Sequence, residues 1–165
     1  MKAIKYILFL MVSVGMAYFF YKKYFIAPKI AFPELQLQNL EGEKVGMDQF
    51  LGKPVLVNFW ATWCPNCLRE MEDLEKAAKI LKEKGIETIL VSDENIETLL
   101  VFEQRNPYHF NYFKYSEKKE ELNIYSIPTT YLLDKKGSIV YTKVGEEKWA
   151  DSKIINLLVE KAGAY

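Results

Sequence analysis

Residues 60–67 read Trp60-Ala61-Thr62-Trp63-Cys64-Pro65-Asn66-Cys67 and join a predicted strand to a predicted helix. The strand is the nearly unbroken apolar run at residues 55–60, which is typical of a strand buried on both faces. The helix covers residues 65–84, where apolar side chains recur every three or four positions until Gly85 ends the run. Two cysteines three apart at a helix start lie within one turn, so their sulfurs can join without backbone movement. The motif therefore predicts a pair that opens and closes reversibly.

The position at the helix start predicts different roles for the two sulfurs. At the N-cap, Cys64 meets unpaired backbone N–H groups and the positive end of the helix dipole, which stabilise its thiolate. Cysteines in such motifs have pKa values of roughly 3.5 to 7.5, against about 8.5 for free cysteine. Cys64 is therefore expected to be the nucleophile, whose thiolate attacks another disulfide and forms a mixed disulfide with it. Cys67, one turn inside the helix, is expected to be buried, to keep a higher pKa and to resolve the mixed disulfide.

A metal site and a structural disulfide are the other uses of such a pair. The chain has only these two cysteines and one histidine, His109, so a four-ligand metal site lacks donors. We predict no metal and no cofactor other than the redox-active Cys64–Cys67 disulfide. A disulfide over so short a loop constrains the unfolded chain little and is a poor structural link.

Residues 1–27 are predicted to be a membrane anchor outside the soluble fold. The uncharged run at residues 6–21 is flanked by lysines on both sides, and adjoining apolar residues place the span at about residues 4–21. A cleaved signal peptide is the open alternative, in which Gly15 and Ala17 precede the cut, but it would leave the aromatic residues 18–21 exposed at the new terminus.

The remaining chain is predicted to form a short linker, residues 28–33, and one domain, residues 34–165. A chain of 165 residues is too short for several domains, and its half-hydrophobic composition argues against disorder. Residues 1–33 hold five lysines and no acid, which leaves the domain with 17 basic and 22 acidic side chains. This balance argues against nucleic acid as a partner, because no basic excess is available to neutralise phosphates.

The domain is predicted to be α/β, with a mixed central sheet flanked by helices. The predicted elements are a hairpin around residues 41–43, strands at 55–60, 86–91, 129–133 and 138–144, helices at 65–84, 95–104 and 149–161, and a helical turn at 117–122. Five aromatic residues are assigned to the core and to strand packing: Tyr108, Phe110, Tyr112, Phe113 and Tyr115.

Four stretches resemble the thioredoxin superfamily, and within it the membrane-anchored TlpA/ResA-like reductases, which include the cytochrome c maturation thioredoxins. These stretches are residues 57–67, 69–75, 89–92 and 126–134, and their order and spacing match the family. The resemblance implies a thioredoxin fold, with Cys64 and Cys67 as the redox couple and Pro128 as a cis-proline facing the disulfide. From the residues alone, Pro128 could instead start an edge strand.

Two residues depart from cytoplasmic thioredoxins in a way that concerns proton transfer. Asn58 stands where those proteins carry a buried aspartate. Glu70, three residues after Cys67, matches an acidic position of ResA-like proteins and is predicted to supply the missing acid–base function. The alternative is a solvated glutamate in the first turn of a helix, where the dipole favours it.

Four residues near the cysteines are predicted to bind the substrate: Trp63, Pro65, Ile127 and Pro128. Trp63 would shield the disulfide and offer an apolar surface to a partner, whereas Trp60 is expected in the core. Ile127 would pair its backbone with an extended substrate segment.

The predicted function is a thiol-disulfide oxidoreductase, tethered to the membrane on its extracytoplasmic side, that reduces disulfides of exported proteins. By resemblance, apocytochrome c is an expected substrate and a transmembrane thiol transporter the expected electron donor. The alternatives are an anchored thiol oxidase, a secreted or periplasmic form after signal cleavage, and a non-catalytic binding module. A peroxidase is disfavoured, because Ala61 stands where the peroxiredoxin pattern requires threonine.

Overall fold

The structure, a computed structural model, describes residues 2–115 and 122–164. Its helices are α1 (Lys2–Phe25), α2 (Pro65–Glu83), α3 (Ile96–Arg105) and α4 (Ser152–Ala162). Its strands are β1 (Gln36–Gln38), β2 (Lys44–Gly46), β3 (Val55–Phe59), β4 (Glu87–Ser92), β5 (Asn111–Tyr115), β6 (Thr129–Leu133) and β7 (Ile139–Val144). Short 3-10 helices cover Phe32–Glu34 and Met47–Phe50.

Within the described ranges the strands form one sheet in the order β2-β1-β5-β4-β3-β6-β7. The central strands β3, β4 and β5 are parallel, and the outer strands pair antiparallel. The hairpin of β1 and β2 extends the sheet at its β5 edge. These observations confirm the predicted mixed sheet and the N-terminal hairpin extension.

The sheet has apolar side chains on both faces because β3, β4 and β6 are buried from both sides. Helices α2 and α4 cover one face, where Leu56, Leu90 and Leu132 pack against them. The opposite face carries Phe59 and Tyr131, and it is covered by the segment that leads into the first 3-10 helix. Strand β3 lies in the middle of the sheet, parallel to β4, so the carboxyl ends of the two strands are adjacent. The cysteine motif follows the carboxyl end of β3.

The predicted element order is wrong in one place, because it has no strand between α3 and β6, where the structure has β5. Its buried tyrosines, Tyr112 and Tyr115, are three residues apart and lie on opposite faces of the sheet. A strand buried on both faces lacks the alternation that would reveal it. The assignment of these aromatic residues to core and strand packing is confirmed. The predicted helical turn at 117–122 lies outside the described residues, apart from Leu122.

Helix α4 begins at Ser152, three residues later than the sequence pattern predicts. The Asp151 carboxylate accepts the backbone N–H of Lys153 at 2.8 Å and so caps the helix there. Trp149 lies before the helix and is fully buried against the same core as α2. The helix ends at Gly163, whose φ of 61° is left-handed and suits glycine.

The N-terminal segment packs against the domain before it enters helix α1. In residues 28–33, predicted to be a linker, Phe32 is only 1% exposed and its ring lies 5.3 Å from that of Tyr131. The Tyr131 hydroxyl donates to the Pro28 carbonyl at 2.9 Å. In α1, the stretch Ile4–Phe25 is apolar and long enough to cross a membrane, by length and composition alone. This stretch is longer than the predicted span of residues 4–21.

Candidate active site

The two cysteines form a disulfide at the first turn of α2, with their Cα atoms 5.3 Å apart. Cys64 is the N-cap residue, and its Sγ accepts the backbone N–H of Cys67 at 3.2 Å. Pro65 occupies the first helical position, where no N–H is required. The local geometry therefore follows the prediction from the sequence. Both cysteines are buried in this oxidised form, at 3% and 1% exposure.

The loop before β6 lies opposite the disulfide. The Ile127–Pro128 peptide bond is cis, as the resemblance implies. The Ile127 carbonyl oxygen lies 3.7 Å from Cys64 Sγ. The sheet brings the two segments together, because β6 pairs antiparallel with β3 and places Thr129 beside Phe59. A substrate that reaches Cys64 therefore meets the backbone of Ile127 and Pro128.

The two tryptophans of the motif lie in different environments. Trp60 is buried, and its ring packs 4.8 Å from Phe102 and 5.5 Å from Tyr112. Trp63 is 61% exposed beside the disulfide, and Leu68, one turn along α2, is 38% exposed. Together Trp63 and Leu68 give the site an apolar rim, which we call the Trp63 rim.

Glu70 lies in the second turn of α2 and is buried, at only 4% exposure. The Asn58 side-chain amide donates to Glu70 Oε1 at 3.0 Å and to Thr130 Oγ1 at 2.9 Å. The backbone N–H of Glu147 donates to Glu70 Oε2 at 3.2 Å. Asn58 thus positions the Glu70 carboxyl group through a hydrogen bond to Oε1. The solvated alternative for Glu70 is wrong.

Burial changes the acidity of this carboxyl group. Desolvation raises the pKa of Glu70 from its usual 4.5 to about 7, and the neighbouring Glu146 carboxylate adds to the rise. Interactions with Trp149, Asn58 and the backbone of Glu147 partly oppose it. Glu70 therefore gains and loses a proton near neutral pH, three residues from Cys67 along the helix.

The raised pKa of Glu70 predicts a pH-dependent contribution to stability. The folded chain keeps this proton up to about pH 7, whereas the unfolded chain releases it near pH 4.5. Its contribution is fully present below the unfolded pKa and is lost as the pH rises through the folded pKa. Glu70→Gln removes this titration. We expect the variant's free energy of unfolding, relative to wild type, to rise by about 3 kcal/mol between pH 4.5 and pH 8.

The measurement is urea unfolding of the oxidised full chain in detergent, followed by tryptophan fluorescence. All three tryptophans, Trp60, Trp63 and Trp149, lie in the domain and not in α1, so the signal reports on the domain. A difference between the two proteins that does not change with pH would contradict a buried, titrating Glu70.

A second carboxylate, missed in the sequence, holds the loop that carries Cys64. Glu94 accepts the backbone N–H and the hydroxyl of Thr62, each at 2.7 Å, and also the Ser92 hydroxyl at 3.2 Å. Glu94 lies two residues after the end of β4, and because β3 and β4 are parallel neighbours, their carboxyl ends lie side by side. That adjacency is the signal from which the contact could have been found. We call the hydrogen bonds of Glu94 to Thr62 the Glu94 clamp. They hold the turn in which the Cys64 backbone N–H donates to the Ala61 carbonyl at 3.1 Å.

A further set of contacts, which the sequence pattern does not predict, joins helix α2 near Glu70 to the loop before α4. Arg69 pairs with Glu146 and also donates to the Asn66 side chain within the cysteine motif. Asp73 accepts the backbone N–H of Ala150 at 3.0 Å. These contacts tie the loop before α4 to helix α2, which explains why Glu70 is buried.

A disulfide at the start of a helix, a cis-proline opposite it and a buried titrating acid about one turn further along the helix define a thiol-disulfide oxidoreductase with a thioredoxin fold. Over residues 28–142 the chain matches the AhpC/TSA family, and it belongs to that family.

Known proteins support this class. The thiol-disulfide oxidoreductase ResA of Halalkalibacterium halodurans is 34% identical over 142 residues, which are 81% of each chain. The thioredoxin-like protein YneN of Bacillus subtilis is 35% identical over 117 residues, covering 68% of this chain and 69% of YneN. The solution structure of a thiol:disulfide interchange protein from Bacteroides sp. has a TM-score of 0.66 at 25% identity, covering 80% of this chain and 91% of that one. The resemblance to ResA-like oxidoreductases is confirmed.

Proposed function

We propose that the chain is a membrane-anchored reductase that acts outside the cytoplasm on disulfides of exported proteins. The observation that carries this proposal is the Cys64–Cys67 disulfide, which lies under the Ile127–Pro128 loop beside the exposed Trp63 rim. The similarity of the chain to ResA supports thiol-disulfide exchange as its reaction. The apolar stretch of α1, continuous with the domain, supports an anchor.

The reaction begins with the reduced pair. The Cys64 thiolate attacks one sulfur of the substrate disulfide, a new S–S bond forms, and the other substrate sulfur leaves as a thiolate. The Cys67 thiolate then attacks Cys64 Sγ, the mixed disulfide breaks, and the second substrate sulfur leaves. Two electrons pass to the substrate, and Cys64–Cys67 becomes the disulfide of this structure. A membrane-embedded dithiol donor returns the pair to the reduced state.

Glu70 supplies the proton acceptor for the second step. Cys67 is buried and must lose its proton before it attacks, and burial favours the neutral thiol. A carboxylate with a pKa of about 7 takes that proton at neutral pH. It returns the proton when the pair is reduced again.

Substrate recognition uses the backbone more than side-chain charge. An extended segment can pair with the backbone at Ile127, while the Trp63 rim covers its apolar side chains. Pro65 follows Cys64 in the helix, and Pro128 follows Ile127 in the opposite loop, so both lie near the sulfur that the substrate meets. This arrangement suits an unfolded exported chain with two close cysteines, such as the haem-binding Cys-x-x-Cys-His segment of apocytochrome c.

The reduction potential of the pair tests the direction of electron flow. The full chain in detergent is equilibrated with dithiothreitol or glutathione redox buffers, and the oxidised fraction is measured by alkylation and mass spectrometry. A value close to that of thioredoxin, about −270 mV, supports a reductase. A value close to about −120 mV would make the chain an anchored oxidase.

Protease treatment of spheroplasts or protoplasts, in which the cytoplasmic membrane is the only barrier, tests the location. We expect external protease to remove the domain while a cytoplasmic control protein survives. The intact mass of the untreated membrane-bound chain shows whether residues 1–27 are retained. Protection of the domain in spheroplasts, with digestion only after lysis, would contradict an extracytoplasmic site.

A further inference from the structure

The end of helix α1 contacts the loop that carries Ile127 and Pro128. The Ser126 hydroxyl donates to the Tyr24 carbonyl at 2.9 Å. The Lys23 ammonium lies 4.2 Å from the centre of the Tyr125 ring, which in turn meets the Tyr24 ring edge-on at 6.3 Å. Ser126 directly precedes Ile127, so these contacts join α1 to the loop beside the disulfide.

A cleft of about 650 Å³ lies between the end of α1 and this loop, and we call it the juxtamembrane cleft. Its cations are Lys22, Lys23 and Lys29, and its polar neutral groups include Asn123, whose Oδ1 accepts the Tyr125 hydroxyl at 3.3 Å and whose amide NH2 remains to donate. Phe19 lines its lower end, toward the apolar part of α1. Among the described residues, no carboxylate lines this cleft.

The chemistry of the cleft changes along the helix axis. Phe19 lies one turn before Lys22, which is roughly 4.5 Å at the rise of an α-helix. With the uncharged run, residues 6–21, across a bilayer, Phe19 lies at the level of the acyl chains, and Lys22, the first residue after the run, lies at the level of the headgroups. An apolar lower part beneath a cationic upper part has the polarity of a phospholipid with a negatively charged headgroup.

We propose that the juxtamembrane cleft binds the headgroup of an anionic phospholipid. Lys22 and Lys29 contact the phosphate, and the Asn123 amide donates a further hydrogen bond. Lys23 stays over Tyr125 and holds the loop. The proposal rests on the membrane anchor of the proposed function.

A bound lipid would fix the position of the domain over the bilayer. Because Ser126 adjoins Ile127, and the Ile127 carbonyl lies 3.7 Å from Cys64 Sγ, the disulfide would be held close to the membrane surface. That position suits exchange with a thiol carried by a membrane-embedded donor.

The test uses the full chain in nanodiscs of phosphatidylcholine and phosphatidylglycerol in equal amounts. Native mass spectrometry measures which lipids stay bound to the released chain. Lys22→Gln/Lys29→Gln removes two cations and keeps Lys23 on its ring. We expect the preference for phosphatidylglycerol to fall about 30-fold. Lys44→Gln/Lys53→Gln, with the same charge loss in the domain, should keep the wild-type preference.

A neutral substitution distinguishes a built cleft from diffuse attraction between lysines and an anionic surface. Asn123→Gly keeps every charge and suits the left-handed φ of 59° at this position, but it removes the amide. We expect it to lower the preference about tenfold. An unchanged preference in Asn123→Gly would overturn the proposal. Inorganic phosphate at millimolar concentration should not displace the lipid, and displacement would show a site for free anions instead.

The same samples separate this proposal from the proposed function. The intact mass of the chain in the disc shows whether the anchor is present. If the anchor is retained and no lipid preference is found, the lipid site alone is wrong. If the anchor is absent, both the lipid site and the membrane anchoring are wrong, while the reduction potential still tests the redox chemistry.

Discussion

Replacing Cys64 with serine is expected to abolish disulfide exchange, with a fall in rate of at least about 10⁴-fold. A hydroxyl group cannot form the mixed disulfide, and Cys67, only 1% exposed, lies one turn inside the helix. Serine is among the preferred N-cap residues, so the start of α2 is kept and the loss is chemical. The measurement is the reduction of a disulfide-bonded peptide by the full chain, with dithiothreitol as the electron source.

Two controls accompany the serine variant. Thermal unfolding should show that Cys64→Ser remains folded. Cys67→Ser should still form the mixed disulfide with the peptide but should not release the reduced product. Reductase activity of Cys64→Ser near that of wild type would show that another group carries the reaction.

The second large effect is expected for Glu70→Gln. Glutamine keeps the size of the side chain, but its single oxygen can accept only one of the two bonds that Asn58 donates to Oε1 and the Glu147 backbone donates to Oε2. It cannot accept the Cys67 proton, so the resolving step should slow by about 100-fold at pH 7. In the wild type this step should accelerate as the pH rises through about 7, where Glu70 becomes a carboxylate. The variant should lack that rise.

Stopped-flow tryptophan fluorescence between pH 5.5 and pH 8.5 measures the step, and alkylation rates give the cysteine titrations. Glu72→Gln is the matched control, because Glu72 lies in the same helix but is exposed and pairs with Lys76 at 2.7 Å. It should behave as the wild type does. If Glu70→Gln showed the wild-type pH profile and unchanged cysteine titrations, Glu70 would have no part in proton transfer.

Local patterns in the sequence predict the catalytic helix and its sulfurs well. The N-cap position of Cys64 and the first helical position of Pro65 depend on residues within about one turn of each other. The chemistry of a disulfide at a helix start also needs no distant partner. These features follow from spacing and from the physics of helix ends.

The burial of Glu70 could not be read from local pattern. It depends on Asn58, twelve residues earlier, and on the backbone of Glu147, 77 residues later. The spacing of α2 alone allows a solvated side chain at this position. Only the family resemblance indicated Glu70, and only the fold shows the cause of its raised pKa.

Other misses have the same origin. Phe32 lies in a segment predicted to be a linker, yet its ring fills a place on the sheet between Phe59 and Tyr131. The Glu94 clamp on Thr62 joins two loops that only the parallel pairing of β3 and β4 brings together. Long-range packing decides these positions, and a single sequence does not encode it in periodicity.

Trapping the mixed disulfide in cells tests the redox role of Cys64 most directly. The chain has only two cysteines, so any disulfide adduct of Cys67→Ala must form through Cys64. Cells that express the anchored variant are quenched with acid and alkylated, and adducts are identified by non-reducing electrophoresis and mass spectrometry. We predict an adduct with an exported protein, removed by dithiothreitol and absent from Cys64→Ser/Cys67→Ala. If Cys67→Ala accumulates no adduct beyond that double variant, Cys64 is not a nucleophile toward protein disulfides.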